Sequence, residues 1–527
     1  MSIFNAIKRL FGMSDTPQNQ TQKIVDTDIP EPKQASKSKL ATETSIEKTE
    51  KEISTKINDD NKQSTETTED SEYIDENIDS STNTTIKSQK DKLEDSSLTT
   101  KDTKHYTTHH AIIGAGPCGV VAAETLRKEN PTAEITLIGN ENEPPYSRMA
   151  IPYLLINKIG EEGTHLRQSD HYQKQNINYL QQTVASVDAN KNELVMADGS
   201  TLVYKKLLIA AGSHPIAPPI EGIDLPNVHS CWTLKDARQI ASIAKEGSNV
   251  VLMGAGFIGC IILEALVKRG VKLSIIEMGS RMVPRMMDEK AGGLLEKWCI
   301  EKGVNVLTST KITAIKESDG NMRVELDNGD KLVADLVISA TGVKPNTAFL
   351  ENSGIEVNDG ITVNNKLQTN IENIYAAGDV AQGKDFSTGK YEVQAIQPTA
   401  VDHGRIAALN MSGKHVEHSG SLNMNVLDTL GLISHSFGLW MGVEGGDSVE
   451  IYNPDAYKYL NLRFGTDENA DVLVGASTLG MTQHIGVLRG LIESKIHLKE
   501  WKEHLLVDPT RIMEAYLAST QELDNAV

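Results

Sequence analysis

The chain has 527 residues, enough for three domains of ordinary size, and carries a net charge of −20 with a pI near 5.2. That balance argues against nucleic acid as a partner, because binding to phosphates needs a cationic footprint. The four cysteines, Cys118, Cys231, Cys260 and Cys299, share no CxxC-like spacing, so neither a metal site nor a redox pair is signalled, and their scarcity suits a reducing, cytoplasmic compartment.

Residues 1–13 place Ile3, Phe4, Ile7, Leu10 and Phe11 on one helical face, with Lys8 and Arg9 beside them. The segment reads as an amphipathic helix that could lie on the inner membrane face or dock in a partner's groove, or as a short frayed terminus. Asn5, Lys8 and Arg9 interrupt the apolar run and argue against a secretory signal. Residues 14–107 are rich in Ser, Thr, Asp, Glu, Lys, Asn and Gln and poor in apolar residues, and are expected to form a disordered linker. His105, His109 and His110 read as solvated residues before the first strand rather than as metal ligands, since no acidic or cysteine ligand stands at matched spacing. Nowhere do about 18 apolar residues run together, so no spanning helix is expected.

The stretch Ala111–Ile138 sets the organisation. An apolar run enters a turn at Gly114, Gly116 and Gly119, a helix is expected over 118–128, and a second strand follows over 135–138. Strand, glycine turn, helix, strand is the unit that binds a dinucleotide pyrophosphate. Gly114 permits the tight turn, Gly116 lets backbone approach the phosphates, and Gly119 lets helix and strand pack closely. The helix N-terminus then offers N–H groups and a positive dipole end. The acidic ribose partner usual at the end of the second strand is replaced by Gly139 and Asn140, with Glu141 the nearest carboxylate.

Residues 180–212 read as short strands with turns at 189–192 and 198–199, ending in the small-residue run Ala210-Ala211-Gly212. The dinucleotide pattern then returns as Gly254, Gly256 and Gly259, followed by a helix, a strand over 273–276, and Glu277 in the ribose position. A hairpin is expected at Asp327–Asp330, and the strand ending Ala340-Thr341-Gly342 repeats the earlier small-residue ending. A further strand stops at Gly378-Asp379, where a carboxylate could take a polyol hydroxyl, and a helix follows over 399–410. The last segment mixes strands (457–463, 472–476) with helices (483–491, 499–506), and Met424, Trp440 and Met441 read as core or interface.

In order and spacing, GAGPCG at 114–119, AAGSHP at 210–215, GAGFIG at 254–259 with Glu277, ATGVKPN at 340–346 and TNIENIYAAGD at 369–379 resemble the FAD-dependent pyridine nucleotide-disulfide oxidoreductase family. PPYSR at 144–148 and the tail at 457–477 are similar to rubredoxin/ferredoxin reductases and to the flavin part of NADH-dependent nitrite reductase. The resemblance implies an α/β fold of two Rossmann-like, three-layer domains. The NAD(P) domain (227–351) is inserted into the FAD domain (108–226 and 352–418), and a small α+β interface domain (419–527) follows.

The resemblance further implies FAD on the first glycine turn and Gly378-Asp379, and NAD(P)H on the second turn. Cofactor contacts are expected at Gly114, Ala115, Gly116, Pro117, Gly119, Asn140, Glu141, Arg148, Val184, Ala211, Gly212, Gly254, Gly256, Ile258, Gly259, Glu277, Gly342, Gly378 and Asp379, with no catalytic side chain and no metal. Glu277 would repel a 2′-phosphate and favour NAD, and Arg281 could offset part of that. Met149 stands where the NADH oxidase and coenzyme A-disulfide reductase branch keeps its redox cysteine. Tyr153 and Gln397 depart from the lysine and aromatic common in ferredoxin reductases, and the clusters of a complete nitrite reductase are not expected.

The activity implied is hydride transfer from NADH to flavin N5, then electron transfer to a redox protein without a disulfide relay. An NADH oxidase or diaphorase using oxygen or a small oxidant, and a dinucleotide-sensing scaffold, are the alternatives; a homodimer is also open.

Overall fold

The computed structural model describes residues 104–318 and 320–525. The apolar stripe of 1–13 and residues 14–103 of the polar tract lie outside them. The first strand, β1 (His105–Ile113), starts earlier than the sequence suggested. Thr and His can extend it because its whole length pairs in parallel with β6 (Thr201–Ile209), from His105 opposite Thr201 to Ile113 opposite Ile209. All three histidines are therefore strand residues rather than linker; His105 is exposed, as expected, whereas His110 is 1% exposed.

The remaining strands of this sheet are β2 (Ile135–Gly139), β3 (Asn178–Gln181), β4 (Val184–Asp188) and β5 (Glu193–Met196), in the order β3-β2-β1-β6-β5-β4. Helix α1 (Pro117–Glu129) follows β1. It starts with proline in its first turn, where the missing N–H costs nothing, and ends with Arg127 and Lys128 near its negative dipole end. The short helix α2 (Ile151–Leu155) follows β2.

A second, wholly parallel sheet is built from β7 (Val228–Ser230), β8 (Asn249–Met253), β9 (Lys272–Ile276), β10 (Asn305–Leu307) and β11 (Leu336–Ser339), ordered β10-β9-β8-β11-β7. Its helices are α3 (Leu234–Ile243), α4 (Phe257–Lys268) and α5 (Glu289–Glu301). An antiparallel meander, Ile312–Ser318, Asn321–Leu326 and Lys331–Ala334, packs Ile315, Met322 and Val324 against Val251, Met253 and Val337 of the sheet. The chain then returns: β12 (Ile374–Ala376) joins the first sheet beside β6, and α6 (Gln397–Met411) packs on α1.

The C-terminal segment is a five-stranded antiparallel sheet. Its strands are β13 (Met424–Thr429), β14 (Leu432–Gly438), β15 (Ser448–Asn453), β16 (Lys458–Phe464) and β17 (Leu473–Leu479), in the order β13-β14-β17-β16-β15. Leu460, Leu462, Phe437 and Ala476 share a core with α7 (Ile485–Ser494), α8 (Trp501–Val507) and α9 (Ile512–Asn525). Leu427, Leu479 and Tyr459, in one row of the register, join the core of the second sheet's helices instead. Trp440 is buried, whereas Met441 is 71% exposed, which removes the core half of its core-or-interface reading. Among the described residues no helix is long and apolar enough to cross a membrane.

Candidate functional site

Each glycine turn contains two glycines required by the protein and one that is not. Gly114 has φ +108°, and a Cβ there would stand 2.1 Å from Ala210 O; a Cβ on Gly119 would stand 1.9 Å from Gly114 O. The second turn repeats this, with Gly254 at φ +102° and a Gly259 Cβ 2.2 Å from Gly254 O. Cβ atoms on Gly116 and Gly256 would meet nothing within 4 Å. Protein packing therefore does not demand glycine at these two positions, and space remains there for a ligand.

Helices α1 and α4 begin at Gly116 and Gly256 without a side-chain cap, while Thr233 with Asp236 caps α3 and Asp288 caps α5. Uncapped N–H groups facing open space suit an anion. Pro117 and Ile258 lie in the opening turns of α1 and α4.

Around the first turn the structure gathers residues from distant parts of the chain. A Cβ on Gly139 would lie 3.0 Å from Ala115 Cβ, so the end of β2 abuts the turn. Gly378, at φ +75°, rests against the Cys118 side chain. Asp379 accepts a hydrogen bond from Ser213 Oγ at 3.0 Å. Desolvation pushes its carboxyl above the usual carboxylate range, against the pull of Ser213 and Arg148. A carboxylate so placed is suited to a further hydroxyl donor. Ala211 O and Gly212 O accept from Asn346 Nδ2 (2.8 Å) and Asn346 N (2.9 Å). Gly342 O accepts from Ile216 N at 2.9 Å, and Ser213–Pro215 pairs antiparallel with Val343–Pro345, joining the two small-residue endings in one ribbon.

Other expected residues are placed differently. Asn140 is exposed, and both oxygens of Glu141 are engaged: Oε2 accepts from Tyr146 OH at 2.6 Å and Oε1 from Arg148 Nη2 at 2.7 Å. A ribose hydroxyl would have to share Glu141 with these donors. Arg148 Nη1 also donates to Trp232 O at 2.7 Å, and its guanidinium lies over the Trp232 ring, 5.3 Å from the centroid. Val184 starts the edge strand β4 and is 9% exposed.

At the second turn, Glu277 accepts from Ala255 N and Gly279 N, both at 2.7 Å. Arg281 turns away from it: Nε donates to Met287 O at 2.8 Å and Nη1 pairs with Glu289 at 2.7 Å. Sequence reasoning missed Tyr146, Ser213 and Trp232. Ser213 follows the Ala-Ala-Gly ending directly, which was the available signal.

The family model described as pyridine nucleotide-disulphide oxidoreductase matches residues 108–404. The chain belongs to that family. It is 30% identical over 416 residues to the NADH-dependent phenylglyoxylate dehydrogenase subunit epsilon of Aromatoleum evansii, covering 78% of this chain and 98% of that one. It is 34% identical over 325 residues to the NADH oxidase of Methanocaldococcus jannaschii, covering 60% of this chain and 72% of that one. Among solved structures it resembles the NAD-dependent persulfide reductase from A. fulgidus, with TM-score 0.69 and 28% identity over 74% of this chain and 78% of that one. This oxidoreductase is an FAD-dependent enzyme that uses NAD(P)H. The open space at Gly116 and Gly256, the uncapped helix ends and the desolvated Asp379 fit two dinucleotides.

Proposed function

We propose that the protein exchanges electrons between NADH and a redox-protein partner without a disulfide relay. The state of the thiols carries this reading. All four cysteines are unpaired and buried. Burial pushes Cys231 and Cys299 up to about 12 and Cys118 and Cys260 also upward, so no thiolate is at hand. The residue in the redox-cysteine position of one family branch is Met149, 45% exposed.

In this reading Gly116, the start of α1 and Asp379 hold FAD, while Gly256, the start of α4 and Glu277 hold NADH. FAD, when bound, would supply the hydride acceptor and the redox chemistry of onward electron transfer. The helix ends orient the two pyrophosphates, Asp379 takes a polyol hydroxyl, and Glu277 takes a ribose hydroxyl while holding the Ala255 peptide. The proposed division is 108–226 with 352–418 for FAD, 227–351 for NAD(P), and 419–527 as an interface unit that could pair copies. The Aromatoleum relative is named as a subunit of an NADH-dependent dehydrogenase, which supports a protein partner. The likeness to an NADH oxidase favours oxygen as a second reading. Residues 1–13 would hold the protein at the inner membrane face or on its partner. Deleting them should abolish binding to anionic vesicles or partner while dye turnover persists.

The deciding experiment replaces all four cysteines with alanine. Flavin reduction by NADH and dye turnover should stay within several-fold of the parent. A loss on the order of a thousandfold in a folded, flavin-loaded variant, about 4 kcal/mol of barrier, would put a thiol in the electron path. Reoxidation rates with air and with a candidate carrier protein separate the two acceptors.

A further inference from the structure

The segment 278–287 runs from the Glu277 carboxylate to the cap of α5. It is tied to the second glycine turn through Val283. Ala255 N donates to Glu277 Oε2, and Ala255 O accepts from Val283 N at 2.9 Å, so the two polar groups of this buried turn residue are held by Glu277 and by the segment that follows it. Val283 has φ +43°, a conformation that a β-branched residue rarely adopts. Such a conformation persists only where the surroundings impose it. The surroundings here are buried Met282, Met286 and Met287, and the Arg281 bonds to Met287 O and Pro284 O.

The far end is fixed from outside the second sheet's unit. Asp288 Oδ1 accepts from Ala291 N at 3.0 Å and caps α5, while Asp288 Oδ2 accepts from Tyr459 OH. Tyr459 lies on β16 and is fully buried, and its hydroxyl accepts from Asn461 Nδ2 at 2.9 Å. Burial and the bond to Asp288 raise its phenol, which keeps the donor proton in place. Lys290 pairs with Glu450 beside this bond.

We propose that Tyr459 is a positioning residue for the nicotinamide dinucleotide: through Asp288 its hydroxyl holds segment 278–287 in the strained form that keeps Glu277 and Ala255 in place. The inference rests on the reading of the second turn as the NADH site. The C-terminal sheet thereby tunes NADH affinity without touching the ligand.

The test uses the full-length, flavin-loaded enzyme and steady-state dye reduction. Tyr459→Phe should raise KM for NADH about tenfold, equivalent to about 1.4 kcal/mol, with kcat within twofold. Asp288→Ser keeps an oxygen for the Ala291 cap but none for Tyr459, and should raise KM equally. The double variant should be no worse than either single one. An unchanged KM in Tyr459→Phe, or a fall in kcat or flavin content that accounts for the loss, overturns the proposal. Glu277→Gln separates the two failures. If it raises KM while Tyr459→Phe does not, the positioning role alone is wrong; if neither moves KM, the NADH site assignment falls with it.

Discussion

Glu277 and Asp379 both sit at the end of a parallel strand, but their surroundings differ. Glu277 is held by two backbone N–H groups, whereas Asp379 has one hydroxyl donor and a carboxyl raised by desolvation. Asp379→Ala should therefore weaken flavin retention and leave NADH binding largely intact; a purified variant with full flavin content would refute that role. A 2′-phosphate about 4 Å from Glu277 would cost roughly 4 kcal/mol at an effective dielectric of 20. The sequence left open an offset by Arg281, but its guanidinium is committed to Met287, Pro284 and Glu289. NADH should thus be preferred, Glu277→Gln should raise kcat/KM for NADPH about tenfold, and Arg281→Ala, which loosens the segment for both cofactors alike, should leave the preference for NADH over NADPH unchanged. Equal use of both cofactors by the parent enzyme would overturn this.

Packing between elements is set by small residues that sequence patterning did not expose. A Cβ on Gly404 of α6 would stand 2.4 Å from Cys118 O on α1. Gly404→Ala should force the helices apart and cost about 1–3 kcal/mol, read as a lower melting temperature of the flavin-loaded protein. Elements with a strong local signal were legible: α1, expected over 118–128, spans Pro117–Glu129, and the Asp327–Asp330 hairpin lies between its two strands. The polar start of β1 was not, because its partner β6 lies 96 residues away at the His105–Thr201 contact. The same holds for the bond between Asp288 and Tyr459, 171 residues apart. Strands β13 to β15 and helix α9 also went unrecognised, and periodicity could not show that both faces of the C-terminal sheet would be covered.

At the scale of the molecule, three of the four buried histidines are held far below their ordinary value, on β1, on α6 and on β14. Burial holds His110 down to about 3, His403 to about 3 and His435 to about 4, from an ordinary 6.5. His109, Lys206 and Arg127 add to the effect at His110, and His418 adds to it at His403 against Asp402. Since the folded values lie below the unfolded one, the unfolded chain binds more protons between about pH 6.5 and pH 3–4. Their contribution to stability is complete above that window and is lost as pH falls through it, at up to about 1.4 kcal/mol per pH unit for each group. Denaturant melts at pH 7.5 and pH 5 should show the loss, and His435→Gln should flatten the slope. Equal stability at both pH values would contradict it.

The ribbon of Ser213–Pro215 against Val343–Pro345 has a further consequence. Pro215 and Val343 are register partners, so the whole intervening polypeptide enters and leaves through a doorway two strands wide. Topologically it is a cassette: a hairpin turn could close the gap, and the first sheet's connectivity would not notice. Physically it is no cassette. Ile151 and Leu155 of α2, and Leu427, Leu432, Tyr459 and Leu479 of the C-terminal sheet, share one core with α4 and α5. Excision would leave those side chains facing water on two separate neighbours. The gate is narrow, yet the packing on both sides of it keeps the intervening polypeptide from being withdrawn.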